Sequence, residues 1–490
     1  MGLRDYQVNL VAEVGQHFRR GAGGVCMVLG TGGGKTRTAS YMVGRWAERN
    51  QQVGWLVHRQ ELLMQAAMTF AEYGIEHRLV CSDSDARAIK AQQFREFGRS
   101  FVKHDALTVV GTVQTVARHL ESVAGWFNPA MLVADECHLS MAAGWVKVLT
   151  RWEKAKLLGL TGTPERLDGK ALGRSSGGLY DAMVLGPSVG DMIENGYLAP
   201  YRLWRPNVHL NPVDLKMKGK DYDAATLERE LEGPVIFGDV IGHYRRYAHG
   251  TPAIGFCPTV ASAKHFAAAF ADAGYRAVSI DGMTDDTLRR RTLAALGTGD
   301  LDVVFNCGIL TEGTDIPLAT TAIMLRRTLS LAMYLQSVGR VLRTHERKDY
   351  ARVIDCVGVS LIHGYPDDER DWSLDGRPKK KRGESEREIE LMRCPSCWEE
   401  HLPRKTCPAC GHSYGEDEVV RRNKEMQQVD AELVEVSEDQ RRAEQAEKRR
   451  KIGRARTLDE LKDLALELGY SKGWAYRIYE ARKQKEGVAA

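Results

Sequence analysis

The 490-residue chain is too long for one ordinary core and implies two large domains with smaller pieces attached. Its 43% hydrophobic and 27% charged residues are the balance of a soluble globular protein, and no apolar run approaches the roughly 18 residues of a membrane span. A net charge of +4 permits nucleic-acid binding without requiring it, because the sum hides local patches. The N-terminus MGLRDYQ is no secretory signal and has Tyr6 where a myristoylation signal wants Ser or Thr, so a cytoplasmic location is expected.

Residues 20 to 165 alternate apolar runs with helical stretches. GVCMVL (24–29), VGWLV (53–57), LTVVGT (107–112), MLVAD (131–135) and KLLGLTG (156–162) read as strands. This is the rhythm of a parallel sheet wrapped by helices. Between the first run and a helix carrying Ala39, Met42, Val43 and Trp46 lies LGTGGGKT. Strand, glycine-rich turn, lysine and helix make a phosphate-binding loop: the backbone of Gly32 and Gly34 faces phosphate oxygens, and the helix N-terminus adds partial positive charge. Lys35 is expected on the β- and γ-phosphates of ATP and Thr36 on Mg²⁺. Leu29 stands where the general pattern has Gly.

MLVAD runs into ECH, so Asp135 and Glu136 sit at a strand tip. Beside a phosphate loop, Asp135 is expected in the Mg²⁺ shell and Glu136 as the group that orients and deprotonates the attacking water. Alone, the pair would equally suit an acidic strand-to-helix turn.

Residues 165 to about 250 break the rhythm with glycines, prolines and mixed charge. It resumes with AIGFC (253–257), RAVSI (276–280), LDVVFNC (301–307), TAIMLR (321–326) and ARVIDC (351–356), predicting a second α/β domain without a phosphate loop. From 366 the chain is charged and poor in apolar residues, and the basic run 378–382 reads as solvated linker. Of ten cysteines, six are scattered and read as small buried hydrophobes. Cys394, Cys397, Cys407 and Cys410 form two C-x2-C pairs nine residues apart, a spacing suited to structural Zn²⁺. Residues 416–456 are dominated by Glu, Arg, Lys and Gln and suit an exposed helix or a tether. After a capping box at Thr457 and Glu460, two short helices suit either DNA contact or docking on the protein body.

The series of motifs resembles a superfamily 2 helicase with a DExH box over about residues 3 to 345. LRDYQ (3–7) resembles the motif whose glutamine, here Gln7, reads the adenine edge. LGTGGGKT resembles motif I in a form that tolerates a non-glycine first position. VHRQEL (57–62) and VGTVQT (110–115) resemble strand-contacting motifs, DECH motif II, LTGTP (160–164) motif III, and GFCPTV (255–260) motif IV. LTEGTDIP (310–317) resembles motif V, with Gly313 and Asp315, and QSVGRVLR (336–343) motif VI, with Gln336, Arg340 and Arg343. The resemblance implies two tandem RecA-like domains, ATP bound in the cleft between them, arginines facing the γ-phosphate, and a nucleic-acid strand held through its phosphates. The cysteine cluster, GYLAP (196–200), VIDCVG (353–358) and HGYPDDERDWSLDGR (363–377) look most like bacterial RadD-type repair helicases and their phage-encoded relatives.

The expected organisation is an ATP-binding domain over 1–198, a second RecA-like domain over 199–365, a linker over 366–390 and a four-cysteine zinc module over 391–415. A charged helix or tether then covers 416–456 and a helical pair 457–485. The expected activity is ATP-dependent movement on or unwinding of DNA in repair, recombination or phage replication. An RNA helicase and the motor of a restriction or defence complex are the alternatives.

Overall fold

The structure, a computed structural model, describes residues 2–166, 170–206, 235–310, 316, 318–328, 330–375, 392–393, 400–401, 406, 413, 427–429, 432–468, 474–476, 478–479 and 482. Its contacts divide the chain into two compact units. Unit 1 holds 1–192, 369–378 and 445–490, and unit 2 holds 193–368 and 379–444.

Unit 1 is a seven-stranded parallel sheet of β1 (Gly24–Val28), β2 (Val53–Val57), β3 (His77–Val80), β4 (Thr108–Thr112), β5 (Met131–Asp135), β6 (Lys156–Thr161) and β7 (Ala182–Leu185), in the order β3-β4-β2-β5-β6-β1-β7. Every pairing is parallel. The strands β1, β2, β4 and β5 are buried at every residue, which is why they read as unbroken apolar runs. Eight helices belong to the same stretch: α1 (Asp5–Arg19), α2 (Lys35–Ala47), α3 (Gln60–Glu72), α4 (Asp83–Phe97), α5 (Val113–Arg118), α6 (Leu120–Ala124), α7 (Ala143–Arg151) and α8 (Val189–Glu194). One side of the core gathers Phe127, Trp145, Trp152 and Tyr180. Trp372 and Leu374, from the stretch read as linker, pack against it, and the Leu374 carbonyl accepts from Leu172 N and Gly173 N at 2.8 and 2.9 Å.

Unit 2 has its own seven-stranded sheet. Its strands are β8 (Tyr201–Pro206), β10 (Ala253–Phe256), β11 (Ala277–Ile280), β12 (Val303–Asn306), β13 (Thr321–Met324), β14 (Ala351–Asp355) and β18 (Leu433–Glu435), ordered β11-β12-β10-β13-β14-β8-β18. All pairs are parallel except β18, which runs antiparallel to β8. Small ladders join β9 (Val235–Phe237) to β17 (Gln427–Val429) and β15 (Met392–Arg393) to β16 (Glu400–His401). Part of the 416–456 stretch, expected as helix or tether, therefore supplies strands, and among its described residues only Glu438–Arg454 is helical. The two parallel-sheet α/β units are consistent with a tandem RecA-like helicase fold. Among the described residues no helix is long and apolar enough to cross a membrane.

Candidate active site

In a parallel α/β sheet the carboxyl ends of the strands face one edge, where loops lead into helices and ligands bind. The expected residues of unit 1 collect along that edge. β1 leads into the glycine loop, which turns into α2 at Lys35. Gly32 and Gly34 have φ of 86° and 82°, a left-handed backbone that a side chain would strain. Gly33 is required for a different reason: a Cβ there would lie 2.7 Å from Leu29 Cγ. Leu29 is 1% exposed and packs beneath the loop, which accounts for its presence where the general pattern has glycine. Lys35 Nζ donates to the Leu29 carbonyl at 3.2 Å, and Thr36 is half-buried on the first turn of α2.

Gln7 is buried on α1 and braces the same loop. Its Oε1 accepts from Arg4 N at 2.9 Å, and its Nε2 lies 3.4 Å from the Gly33 carbonyl, which also accepts from the Tyr6 hydroxyl at 2.8 Å. A Cβ on Gly34 would meet Gln7 Nε2 at 2.5 Å. Tyr6, the neighbour of Gln7, is thus a second loop-bracing residue, one that carries no motif signal of its own in the sequence.

Asp135 ends β5, 4% exposed, and its Oδ1 accepts from Glu136 N at 3.1 Å. Glu136 follows at φ 52°, ψ 57°, a left-handed conformation uncommon for a residue with a side chain and concentrated at functional sites. Its Oε2 is 3.4 Å from His138 Nδ1. That ring nitrogen is 3.2 Å from Thr161 Oγ1, which donates to the Thr163 carbonyl and accepts from Thr163 N. A polar chain thus joins DECH to LTGTP. Its neighbour Gly162 sits over the glycine loop: a Cβ there would meet Lys35 Nζ at 3.6 Å, ordinary contact, so there is room for a small side chain. Behind Glu136, Cys137 is fully buried, 3.5 Å from Cys26 Sγ, and burial pushes its thiol well up, as expected of a small hydrophobe.

On the same edge, Gln114 Nε2 donates to the His58 carbonyl at 3.0 Å, tying VGTVQT to VHRQEL.

In unit 2, Gln336 and Arg340 lie on the helix Leu331–Val341, 6% and 8% exposed, and Arg343 is half-buried just beyond its end. Lys348, not singled out from sequence, holds that end: its ammonium donates to the carbonyls of Val341, Arg343 and Ala319 at 3.1, 2.9 and 2.6 Å. Asn306 joins GFCPTV to the start of LTEGTDIP, donating to Gly255 O and accepting from Leu310 N. Gly313 and Asp315 lie outside the described residues, as do Cys394, Cys397, Cys407 and Cys410. Among the described residues no group of three or more His, Cys, Asp or Glu is placed to hold a metal ion. A cavity of about 320 Å³ lined by Pro252, Thr320, Arg347 and Lys348 opens at the amino edge of the unit 2 sheet, and Lys348 ties its wall to the end of the QSVGRVLR helix.

Two parallel-sheet units, the first with a glycine loop at the carboxyl edge of its sheet, are consistent with the helicase class. Residues 1–166 match the family described as type III restriction enzyme, res subunit, and residues 237–345 match the helicase conserved C-terminal domain. A 51.5 kDa protein of a Lactococcus phage is 29% identical over 82% of this chain and 81% of its own length. A protein of Saccharomyces cerevisiae named as an ATP-dependent helicase is 26% identical over 74% of this chain, which spans about half (52%) of that relative. The fold is shared with an ATP-dependent type ISP restriction-modification enzyme solved bound to DNA, at a TM-score of 0.52 and 18% identity over 73% of this chain and 28% of that one. Together the two domain matches indicate a superfamily 2 helicase with phage and restriction-type relatives, and they support an ATP-hydrolysing enzyme.

Proposed function

We propose that the protein is an ATP-dependent DNA helicase or translocase with a DExH-type site, most similar in kind to RadD-type repair helicases and their phage relatives. The observation that carries this reading is the glycine loop with Lys35 and Thr36 beside the buried carboxylates Asp135 and Glu136. The residues fit ATP and Mg²⁺: two left-handed glycines leave the loop backbone open, and a buried carboxylate ends the strand two places away in the sheet. Lys35 and the loop N–H groups would hold the β- and γ-phosphates, and Thr36 and Asp135 the Mg²⁺. The bound nucleotide supplies a phosphoanhydride. Glu136 would accept a proton from water, and His138, itself 3.2 Å from Thr161 Oγ1, stands 3.4 Å from its Oε2. The resemblance assigns Arg340 and Arg343 to the γ-phosphate and Gln336 to nucleotide binding, and arginine suits its role because it stays charged and forks onto two oxygens.

DNA rather than RNA is favoured by the restriction-type match and by the DNA-bound enzyme that shares the fold. ATP turnover should rise with single-stranded or forked DNA. Stimulation by RNA alone would overturn the choice. The same match favours a second reading, the motor of a restriction or defence complex. Co-purification of a nuclease or modification subunit would support it.

The four cysteines fit structural Zn²⁺. Antiparallel pairing flanks each C-x2-C in sequence, Arg393 with Glu400 around the first and Thr406 with Ser413 around the second. One zinc per chain is expected by elemental analysis of protein purified without chelators, and absence of zinc rejects the module.

A further inference from the structure

Residues 445–490 hold twelve Lys and Arg against seven Asp and Glu, a net of five positive charges where the whole chain has four. The protein's excess positive charge therefore lies entirely in its last 46 residues. They have a small core of their own: Leu461, Leu464, Ala465, Trp474 and Ala475 are buried together, with Ile452, Ala455 and Leu458 packed around them. Arg482 closes it, donating to the carbonyls of Ile452 and Ala455 near the end of the helix Glu438–Arg454. Glu460 caps the next helix, Leu458–Glu467, by accepting from Arg456 N and Thr457 N.

The outside of this core is unlike its inside. The helix Glu438–Arg454 buries no residue. Arg450 and Arg454 are exposed at an i, i+4 spacing, so they share a face, and exposed Arg456 follows. Tyr476 is 48% exposed although its neighbours Trp474 and Ala475 are buried, and Lys462 Nζ lies 5.4 Å from its ring. Clustered arginines match a polyanion by charge. An exposed aromatic ring with a cation beside it matches an unpaired base, because every base has a face to stack.

We propose that this C-terminal module is a second binding site for single-stranded DNA, with Arg450, Arg454 and Arg456 on the phosphates and Tyr476 stacking a base. The inference rests on the reading of the protein as a DNA motor and adds a grip outside the two sheets. Phosphate contacts carry no sequence preference, so the grip would anchor the strand and leave choice of sequence open.

The test uses the full chain and a fluorescein-labelled oligo-dT, with anisotropy measured across salt concentrations. Replacing Arg450, Arg454 and Arg456 together by Ala should lower affinity and reduce the slope of log affinity against log salt by about 2, three contacts at about 0.7 each. Tyr476→Ala should weaken binding about 5- to 150-fold, the range for one stacked base, and Tyr476→Trp should restore it. DNA-independent ATP turnover should be unchanged in all three, which reports that the ATP-binding unit folds, and an unchanged far-ultraviolet circular dichroism spectrum reports that the module keeps its helices. A strand carrying 5-iododeoxyuridine should photocrosslink to the peptide containing Tyr476. If wild type binds DNA and is stimulated by it, yet the triple-Ala variant keeps affinity and slope and no crosslink maps to residues 445–490, the module is not a DNA site and the motor reading stands. If wild type neither binds nor responds to DNA, both readings fall.

Discussion

Glu136 shows what a single residue carries that spacing does not announce. Its place was legible, because paired carboxylates ending an apolar run after a glycine loop have few other uses. Its left-handed backbone and its link through His138 to Thr161 and Thr163 were not, since neither leaves a compositional mark. Replacing Glu136 by Gln keeps the shape and removes the proposed base. Turnover should fall on the order of 10²- to 10⁴-fold with nucleotide binding retained, whereas Lys35→Ala should lose both. Binding of a fluorescent ATP analogue beside steady-state ATPase separates the two. His77 offers a second residue-scale test. It is buried, with Nδ1 2.9 Å from the Ile75 carbonyl and Nε2 3.1 Å from Gln93 Nε2. Gln93 Nε2 can only donate, so His77 is neutral with its proton on Nδ1. Burial lowers its pKa from 6.5 to about 4, opposed in part by the Ile75 bond. Because the folded value lies below the unfolded one, the unfolded chain binds the extra proton between pH 6.5 and 4. The neutral ring's contribution is therefore whole above pH 6.5 and is lost as pH falls to about 4, at a cost of about 3 kcal/mol. Urea unfolding across this window should show the loss, and a His77→Gln variant should show a shallower slope.

At the scale of elements, legibility followed burial. Strands covered on both faces appear as apolar runs, and their bounds were read to within a residue or two at β2, β5 and β14. Of the strands not apparent in the sequence, β3 and β7 are only partly buried and β8 is interrupted by arginines. β3 reads His-Arg-Leu-Val at a sheet edge, and β8 alternates Arg with Trp and Leu. The element that carries Gln336 and Arg340 was legible as a motif, but its terminus was not. A helix leaves its last four carbonyls without intrahelical donors. Here Lys348, from the turn that follows, donates to Val341 and Arg343 and reaches Ala319 as well. Burial, then the nearby Arg343 charge, lowers its pKa from 10.5 to about 8. Its folded value also lies below the unfolded one, so stability should rise as pH climbs from about 8 towards 10.5. Lys348→Met leaves three carbonyls without their donor and should cost about 2 kcal/mol. It should also lower kcat more than nucleotide affinity, because Arg343 loses its anchor, and it should abolish the alkaline rise. Unchanged kcat would leave Lys348 as a stability residue alone.

At the scale of the whole molecule, the chain does not fold in sequence order. Unit 1 takes back 369–378 and 445–490 after unit 2 has begun. Trp372 and Leu374 sit singly within a charged stretch, so no run of apolar residues could have announced their return to the first core. The placement of the glycine loop and QSVGRVLR in different sheets was legible from sequence position. That division makes the motor reading testable as one claim. If residues of both units serve one turnover, Arg343→Ala should reduce DNA-stimulated ATPase on the order of 10³-fold or more, the scale of a trans-acting arginine in phosphoryl transfer. Binding of a fluorescent ATP analogue should change little, since Lys35 and the loop proposed to hold the phosphates belong to unit 1. Arg343→Lys should restore little of the loss, because an ammonium cannot fork across two oxygens. Near wild-type turnover by Arg343→Ala would mean that unit 1 hydrolyses ATP alone, and the coupling of the two sheets in one motor would fail with it.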